Sequence, residues 1–144
     1  MRKTYFHFTR LLIAAIACFS LHQLASAADA GQSITPKLQQ RFGLTEDQVR
    51  GSLGALLIFA QERLPKPQFD RLSKGIPNAD YIMREARLRG IVTRPLDDID
   101  DYEASLLNLG IGQPLASQFA PAVLEYLSAG GFEAERRLLA RVLD

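Results

Sequence analysis

The stretch Leu44-Thr45-Glu46-Asp47-Gln48-Val49-Arg50-Gly51-Ser52-Leu53-Gly54-Ala55-Leu56-Leu57-Ile58-Phe59-Ala60, residues 44–60, carries the clearest local signal in the chain. Thr45 followed three residues later by Gln48 has the spacing of a capping box, in which each side chain takes a backbone N–H left without a partner at the helix start. Glu46 and Asp47 suit the positive end of the helix dipole, and Leu44 and Val49 occupy the two positions of a hydrophobic staple. From there Val49, Leu53, Leu56, Leu57 and Ala60 recur at helical period along one face, predicting a helix that ends near Leu64, before Pro65. Gly51, Ser52, Gly54 and Ala55 sit inside it, where each glycine costs about 1 kcal/mol relative to alanine. Small residues at these positions predict a second helix packed closely on this one. The uninterrupted run of apolar or small residues is only the eight from Leu53 to Ala60, against the roughly 20 a bilayer demands, so the close packing belongs to a bundle rather than to a membrane span.

Working outward, the same rules predict short helices joined by Gly and Pro. A first helix runs from Thr35, with Pro36 at its first position, to Phe42, and Gly43 stops it. Pro67 to Ser73 carries Phe69 and Leu72 and closes at Gly75; Ala79 to Leu88 follows the Ile76-Pro77-Asn78 turn, with Tyr81, Ile82 and Ala86 as its apolar side. Ile91-Val92-Thr93 is the only β-like triplet and is too short to build a sheet. Asp97 or Asp98 caps a helix to Leu109, and Pro114 opens another in which Pro121 predicts a kink or restart near Ala120. Gly130-Gly131 precedes a final amphipathic helix through Leu138, Leu139 and Val142. The expected fold class is all-α, a single compact bundle of six or seven short helices over residues 35–144. Its expected core contains Leu53, Leu56, Leu57, Phe69, Leu72, Phe119, Val123, Leu124 and Leu139. A weak internal echo accompanies it: Gly43-Leu44, Ala55-Leu56-Leu57 and Phe59 match Gly110-Ile111, Ala122-Val123-Leu124 and Tyr126 at an offset of 67 residues.

Residues 1–27 read as a secretory signal peptide. Arg2, Lys3 and Arg10 supply positive charge, Leu11 to Leu24 is mostly apolar, and Ala25-Ser26-Ala27 offers the small residues at Ala25 and Ala27 that signal cleavage requires. Residues 28–34 are small and polar, a flexible lead-in. Ala15-Ile16-Ala17-Cys18 loosely resembles a lipobox, so a lipoprotein anchored through Cys18 is the alternative, although bulky Phe19 follows the cysteine and the apolar run continues past it. The expected location is exported, periplasmic or secreted, with no transmembrane span in the mature chain.

Composition bounds the chemistry. The 144 residues carry 17 Lys+Arg and 16 Asp+Glu for a net charge of +1, with 47% apolar and 23% charged residues, the profile of an ordinary globular domain. Removing residues 1–27 takes away three of the basic residues and none of the acidic ones, leaving a net charge of −2, which gives no electrostatic basis for nucleic acid. His7, His22 and Cys18 all fall within the first 22 residues, so the mature chain has no His and no Cys. Ser-His-Asp, Cys-His and histidine–zinc arrangements therefore lack their residues, and neither G-x-x-x-x-G-K-[ST] nor G-x-G-x-x-G occurs. A two-carboxylate hydrolase or an all-carboxylate metal site stays compatible with composition, but no enzyme, cofactor or metal is expected.

The unusual feature is the run Arg84, Arg87, Arg89 and Arg94 followed by Asp97, Asp98, Asp100, Asp101 and Glu103. A calcium loop would need oxygens at alternate positions and a central glycine; Tyr102 falls at the position after Asp98 and Asp100, and no glycine follows it. Acidic residues at a helix start and solvated arginines account for most of the run. The functional alternative makes Arg84, Arg87, Arg89, Arg94, Asp97, Asp98, Asp100 and Asp101 a docking segment for another envelope or secreted protein. A second class of function is association with lipid or the envelope surface through an apolar groove between helices.

Leu53-Gly54-Ala55-Leu56-Leu57, Phe69, Leu72, Ile76-Pro77, Phe119-Ala120-Pro121, Leu124, Tyr126 and Gly130-Gly131 together resemble the VcgC/VcgE family, a secreted bacterial domain of unknown function. The resemblance covers most of residues 42–142 and implies an exported, Gram-negative, helical protein; it implies no activity and carries over no catalytic or binding residue.

Intact mass of the purified native protein checks the export reading. A mass matching residues 28–144 is expected, cleavage at Ala30 would give 31–144, and a mass matching Cys18–Asp144 plus acyl chains would mean a lipoprotein.

Overall fold

The computed structural model describes residues 33–144, and it builds them from seven helices: α1 (Ile34–Phe42), α2 (Glu46–Arg63), α3 (Lys66–Lys74), α4 (Ala79–Leu88), α5 (Ile99–Leu107), α6 (Gln113–Ala129) and α7 (Glu133–Leu143). The signal segment with Ala25 and Ala27, the lipobox-like Cys18 and the lead-in through Gln32 lie outside the described residues. The all-α expectation holds, with no strand among the described residues.

Local chemistry sets most of the boundaries. Helix α1 begins at Ile34 rather than Thr35, because Ile34 is a buried core residue and not part of a polar lead-in. Gly43, at φ 65°, reverses the chain after it and donates its N–H to the Gln39 carbonyl. Two residues on, the Thr45 hydroxyl accepts the Gln48 N–H at 3.2 Å while the Gln48 side chain accepts the Thr45 N–H at 3.0 Å, closing the expected capping box. The Gln48 amide also donates to the Leu109 carbonyl at 3.0 Å, tying the start of α2 to the link between α5 and α6.

Helix α2 departs from the expected single apolar face. Every residue from Gly51 to Ala60 is buried, because α1, α3, α4, α5 and α7 all lie against it. It is the axis of the bundle, and a helix buried on all sides is apolar or small on all sides. Gly54 is where α4 comes closest: a Cβ there would lie 2.6 Å from Ala86 Cβ and 2.7 Å from the Ile82 carbonyl oxygen. At Gly51 a Cβ would instead meet the ends of the Ile91 and Leu109 side chains, at 2.8 and 2.9 Å. Ser52 is also fully buried, and its hydroxyl is satisfied by donating to the Gln48 carbonyl at 2.8 Å.

Two other expectations are corrected. Helix α5 stops at Leu107 rather than Leu109, because the Leu109 and Ile111 N–H groups turn back to the Leu106 carbonyl and Gly110 takes φ 76°. Helix α6 runs through Pro121 as one helix, without the expected restart at Ala120. Pro121 and Ser117 both lie on the exposed face, so the Ser117 carbonyl that loses its helical donor faces water, and the cost of the missing bond falls. Eight of the nine expected core residues are buried; Leu124 is half-buried at the rim. Tyr102 joins them, fully buried against Phe59 with ring centroids 6.0 Å apart and no hydrogen-bond partner for its hydroxyl. Ile91 and Val92 are buried without forming a strand.

Because the clash at Gly54 is with backbone and a Cβ, whereas that at Gly51 is with flexible side-chain ends, the two alanine substitutions should differ. Gly54→Ala should cost about 1–3 kcal/mol of overpacking. In Gly51→Ala the helix-propensity gain of about 1 kcal/mol offsets much of a smaller repacking cost. Urea unfolding of both variants reads the difference.

Candidate functional site

The charged segment begins on α4, an amphipathic helix whose Ala79, Ile82, Met83 and Ala86 are buried. Tyr81 does not join them as expected; it is 48% exposed, turned about 100° away from the inward-facing arc that begins at Ile82. Tyr81, Arg84 and Leu88 instead share the outer face at i, i+3 and i+7, and Leu88 is 82% exposed. The Arg84 guanidinium lies 5.9 Å from the Tyr81 ring centre, and Arg50 from α2 lies 5.1 Å from the same ring. Arg84 makes no ion pair with a carboxylate among the described residues, and Arg87 donates to the Gln61 side-chain oxygen at 2.8 Å. Arg89 is paired instead, 3.3 Å from Asp47 and 3.8 Å from Glu85, while Arg50 pairs with Glu85 at 2.7 Å.

The second part of the segment folds into a clasp at the far end of α2. Leu96 is buried, and its backbone is held from both sides: its N–H donates to Glu62 at 2.9 Å and its carbonyl accepts from Arg63 at 2.8 Å. The Arg63 guanidinium reaches on to the Asp97 carbonyl and lies over the Phe59 ring, 3.7 Å from its centre. Asp98 caps α5, its carboxylate accepting the Asp101 N–H at 2.8 Å. Asp101 accepts in turn from the Arg94 guanidinium and from the Asp97 N–H, the latter at 3.0 Å. These donors, Arg94 first and the Asp97 N–H second, hold the Asp101 carboxyl below the ordinary carboxylate range. Asp100 stands exposed beside them.

The eight charged residues of the segment therefore do not form one patch. Arg84 and Arg87 stay on α4 with Arg89 at its end, and Arg94, Asp97, Asp98 and Asp101 are brought together in the clasp, where three side chains and the Asp97 backbone make contacts that hold the loop and start α5. No group of three or more His, Cys, Asp or Glu side chains among the described residues could hold a metal ion. A cleft of about 410 Å³ opens between α1, α2 and α4, with Thr35, Gln39, Glu46, Arg50, Asn78 and Tyr81 on its walls. Its lining is mixed, with Pro36, Pro77 and Ile82 beside the polar residues. The residue that sequence reasoning missed is Leu88, and its signal was available: on a helical wheel it falls opposite Ile82 and Ala86, on the Tyr81–Arg84 side.

The sequence that builds this fold matches a recognisable group of sequences. The family model described as protein of unknown function VcgC/VcgE (DUF2780) matches residues 17–143. The chain belongs to this family. The matched span takes in α1 through α6 and α7 to its last residue. No curated protein and no solved structure matches the chain. Of the residues that carry the family resemblance, those at 53–57, Phe69, Leu72, Ile76, Phe119 and Ala120 are buried, whereas Pro77, Pro121, Gly130 and Gly131 are exposed, so the pattern is not confined to the core.

Asp101 gives the clasp a pH dependence of known sign. A carboxyl whose pKa is lower in the folded state adds stability above its unfolded value, near 4, and that stability is lost as pH falls through the folded value. The urea midpoint of Asp101→Asn should therefore be lower at neutral pH and fall less steeply on acidification than that of the parent.

Proposed function

We propose that this protein is an exported, non-catalytic helical module that binds another envelope or secreted protein through the outer face of α4. The observation that carries the reading is Leu88, 82% exposed on a well-packed helix, beside Tyr81 and an Arg84 that has no carboxylate partner among the described residues. An exposed leucine flanked by tyrosine and arginine matches the composition of interface centres, where aromatic and arginine anchors dominate binding energy. Arg84 and Arg87 make the complementary surface acidic. The export half of the reading rests on the signal-like residues 1–27, and the non-catalytic half on a mature sequence without His or Cys.

A photocrosslinking amino acid at position 88, introduced in cells, tests it, with position 125 on exposed α6 as the control. One discrete protein adduct at position 88, lost on Arg84→Glu with Arg87→Glu and absent at position 125, is expected. Adducts to lipid alone, equal labelling at the two positions, or no adduct would overturn the reading.

A further inference from the structure

We propose that the domain is an internal duplication, in which α1–α3 and α5–α7 are two copies of one three-helix unit related by a pseudo-twofold axis, with α4 belonging to neither. The register is the first support. Adding 67 to the bounds of α2 (Glu46–Arg63) and α3 (Lys66–Lys74) lands on the starts of α6 (Gln113) and α7 (Glu133) and within two residues of their ends. The links between helices match in backbone as well as in position. Gly43 and Gly110 both take positive φ, 65° and 76°, and two residues later Thr45 (φ −71°, ψ 160°) and Gly112 (φ −65°, ψ 153°) start the next helix in nearly the same extended conformation.

Burial follows the same offset. Val49, Leu53, Ala55, Leu56, Ala60 and Leu72 are buried, and so are their partners Ala116, Ala120, Ala122, Val123, Leu127 and Leu139. Regular amphipathic helices alone could produce part of that match, but they do not dictate which helices touch. The contacts obey the exchange with one exception, since α2 also packs on α7 while α6 makes no comparable contact with α3. Helix α1 packs on α2 as α5 packs on α6, and α2 on α3 as α6 on α7. Across the two units α2 meets α5 as α6 meets α1, while α3 meets α7, its own counterpart. Such reciprocal contacts are the mark of an isologous, twofold interface. The first helices show the one slip, α5 ending before Asn108 where α1 runs up to Gly43, which lengthens the second link by two residues.

The halves differ most where α4 lies. Gly51, Gly54 and Ile58, all buried on α2, correspond to Gln118, Pro121 and Glu125, which are exposed on α6. Helix α6 is thus built to face water where α2 is built to be covered. On the proposed reading of α4 as the docking helix, its outer face is a single, unrepeated surface on an otherwise twofold scaffold.

Distances between spin labels test the symmetry. In a chain carrying Cys18→Ser, cysteines replace pairs of exposed residues: Glu46 with Lys74 and its twin pair Gln113 with Arg141 within the units, then Glu46 with Arg141 and Gln113 with Lys74 across them. A twofold relation requires each twin pair to give the same distance, within about one helical pitch, ~5 Å. Agreement in both sets is the expected result; a larger mismatch in either set overturns the duplication, while leaving the crosslinking outcome at position 88 untouched. Lys66 and Glu133, also exposed at the starts of α3 and α7, replace Lys74 and Arg141 should a labelled variant lose its helical circular dichroism.

Discussion

The approach of α4 to α2 at Gly54, with no side chain from α2 between the two helices, is the contact on which the rest of the architecture depends. It lets Ala86 and the Ile82 carbonyl sit where a Cβ would otherwise stand. Interior helix glycines cost about 1 kcal/mol each in propensity, a cost offset by the dispersion contacts and buried apolar area that a close approach brings. With α4 in place, the apolar residues of α2 that the other helices leave uncovered are sealed, and α2 becomes an axis around which five helices pack. Without it, Ile58 and its neighbours would be an exposed apolar strip of the kind that drives aggregation.

The charged segment divides its labour across this contact. Its second part is consumed by structure: Asp98 starts α5, Asp101 organises Arg94 and the Asp97 backbone, and Arg63 and Glu62 from the end of α2 hold both polar groups of Leu96. A buried loop residue must have its backbone groups satisfied, and here side chains supply the partners that a helix or sheet would otherwise provide. Its first part, on α4, is left facing outward, and there the exposed leucine and the arginine without a carboxylate stand together. Surface ion pairs such as Arg89 with Asp47 add little energy of their own. Their effect is to settle which arginines remain available on the outer face.

The helix boundaries were legible in the sequence because they are local. Thr45 with Gln48, Asp98 with Asp101 and Gly43 at positive φ each act within four residues, so the chain announces its starts and stops whatever surrounds it. The helical class, the tight packing at Gly51 and Gly54 and most of the core followed from the same local reading combined with period. The placement of single side chains did not follow. Tyr102 is wholly buried while Tyr81 stands half in water, although both tyrosines lie in helices of similar length.

By itself, then, the sequence determined the all-helical class of the described residues, most of the helix starts and stops, and a composition beyond residue 22 without the residues of histidine or cysteine chemistry. The tertiary structure alone decided that α2 is enclosed on every side, that α6 can carry Pro121 on a wet face, and that the acidic run serves as a clasp. The physical reason is the range of the forces. Capping and dihedral preferences act between neighbours in the chain, whereas burial of a given face depends on which other helix arrives there, and that is set by the packing of all seven together.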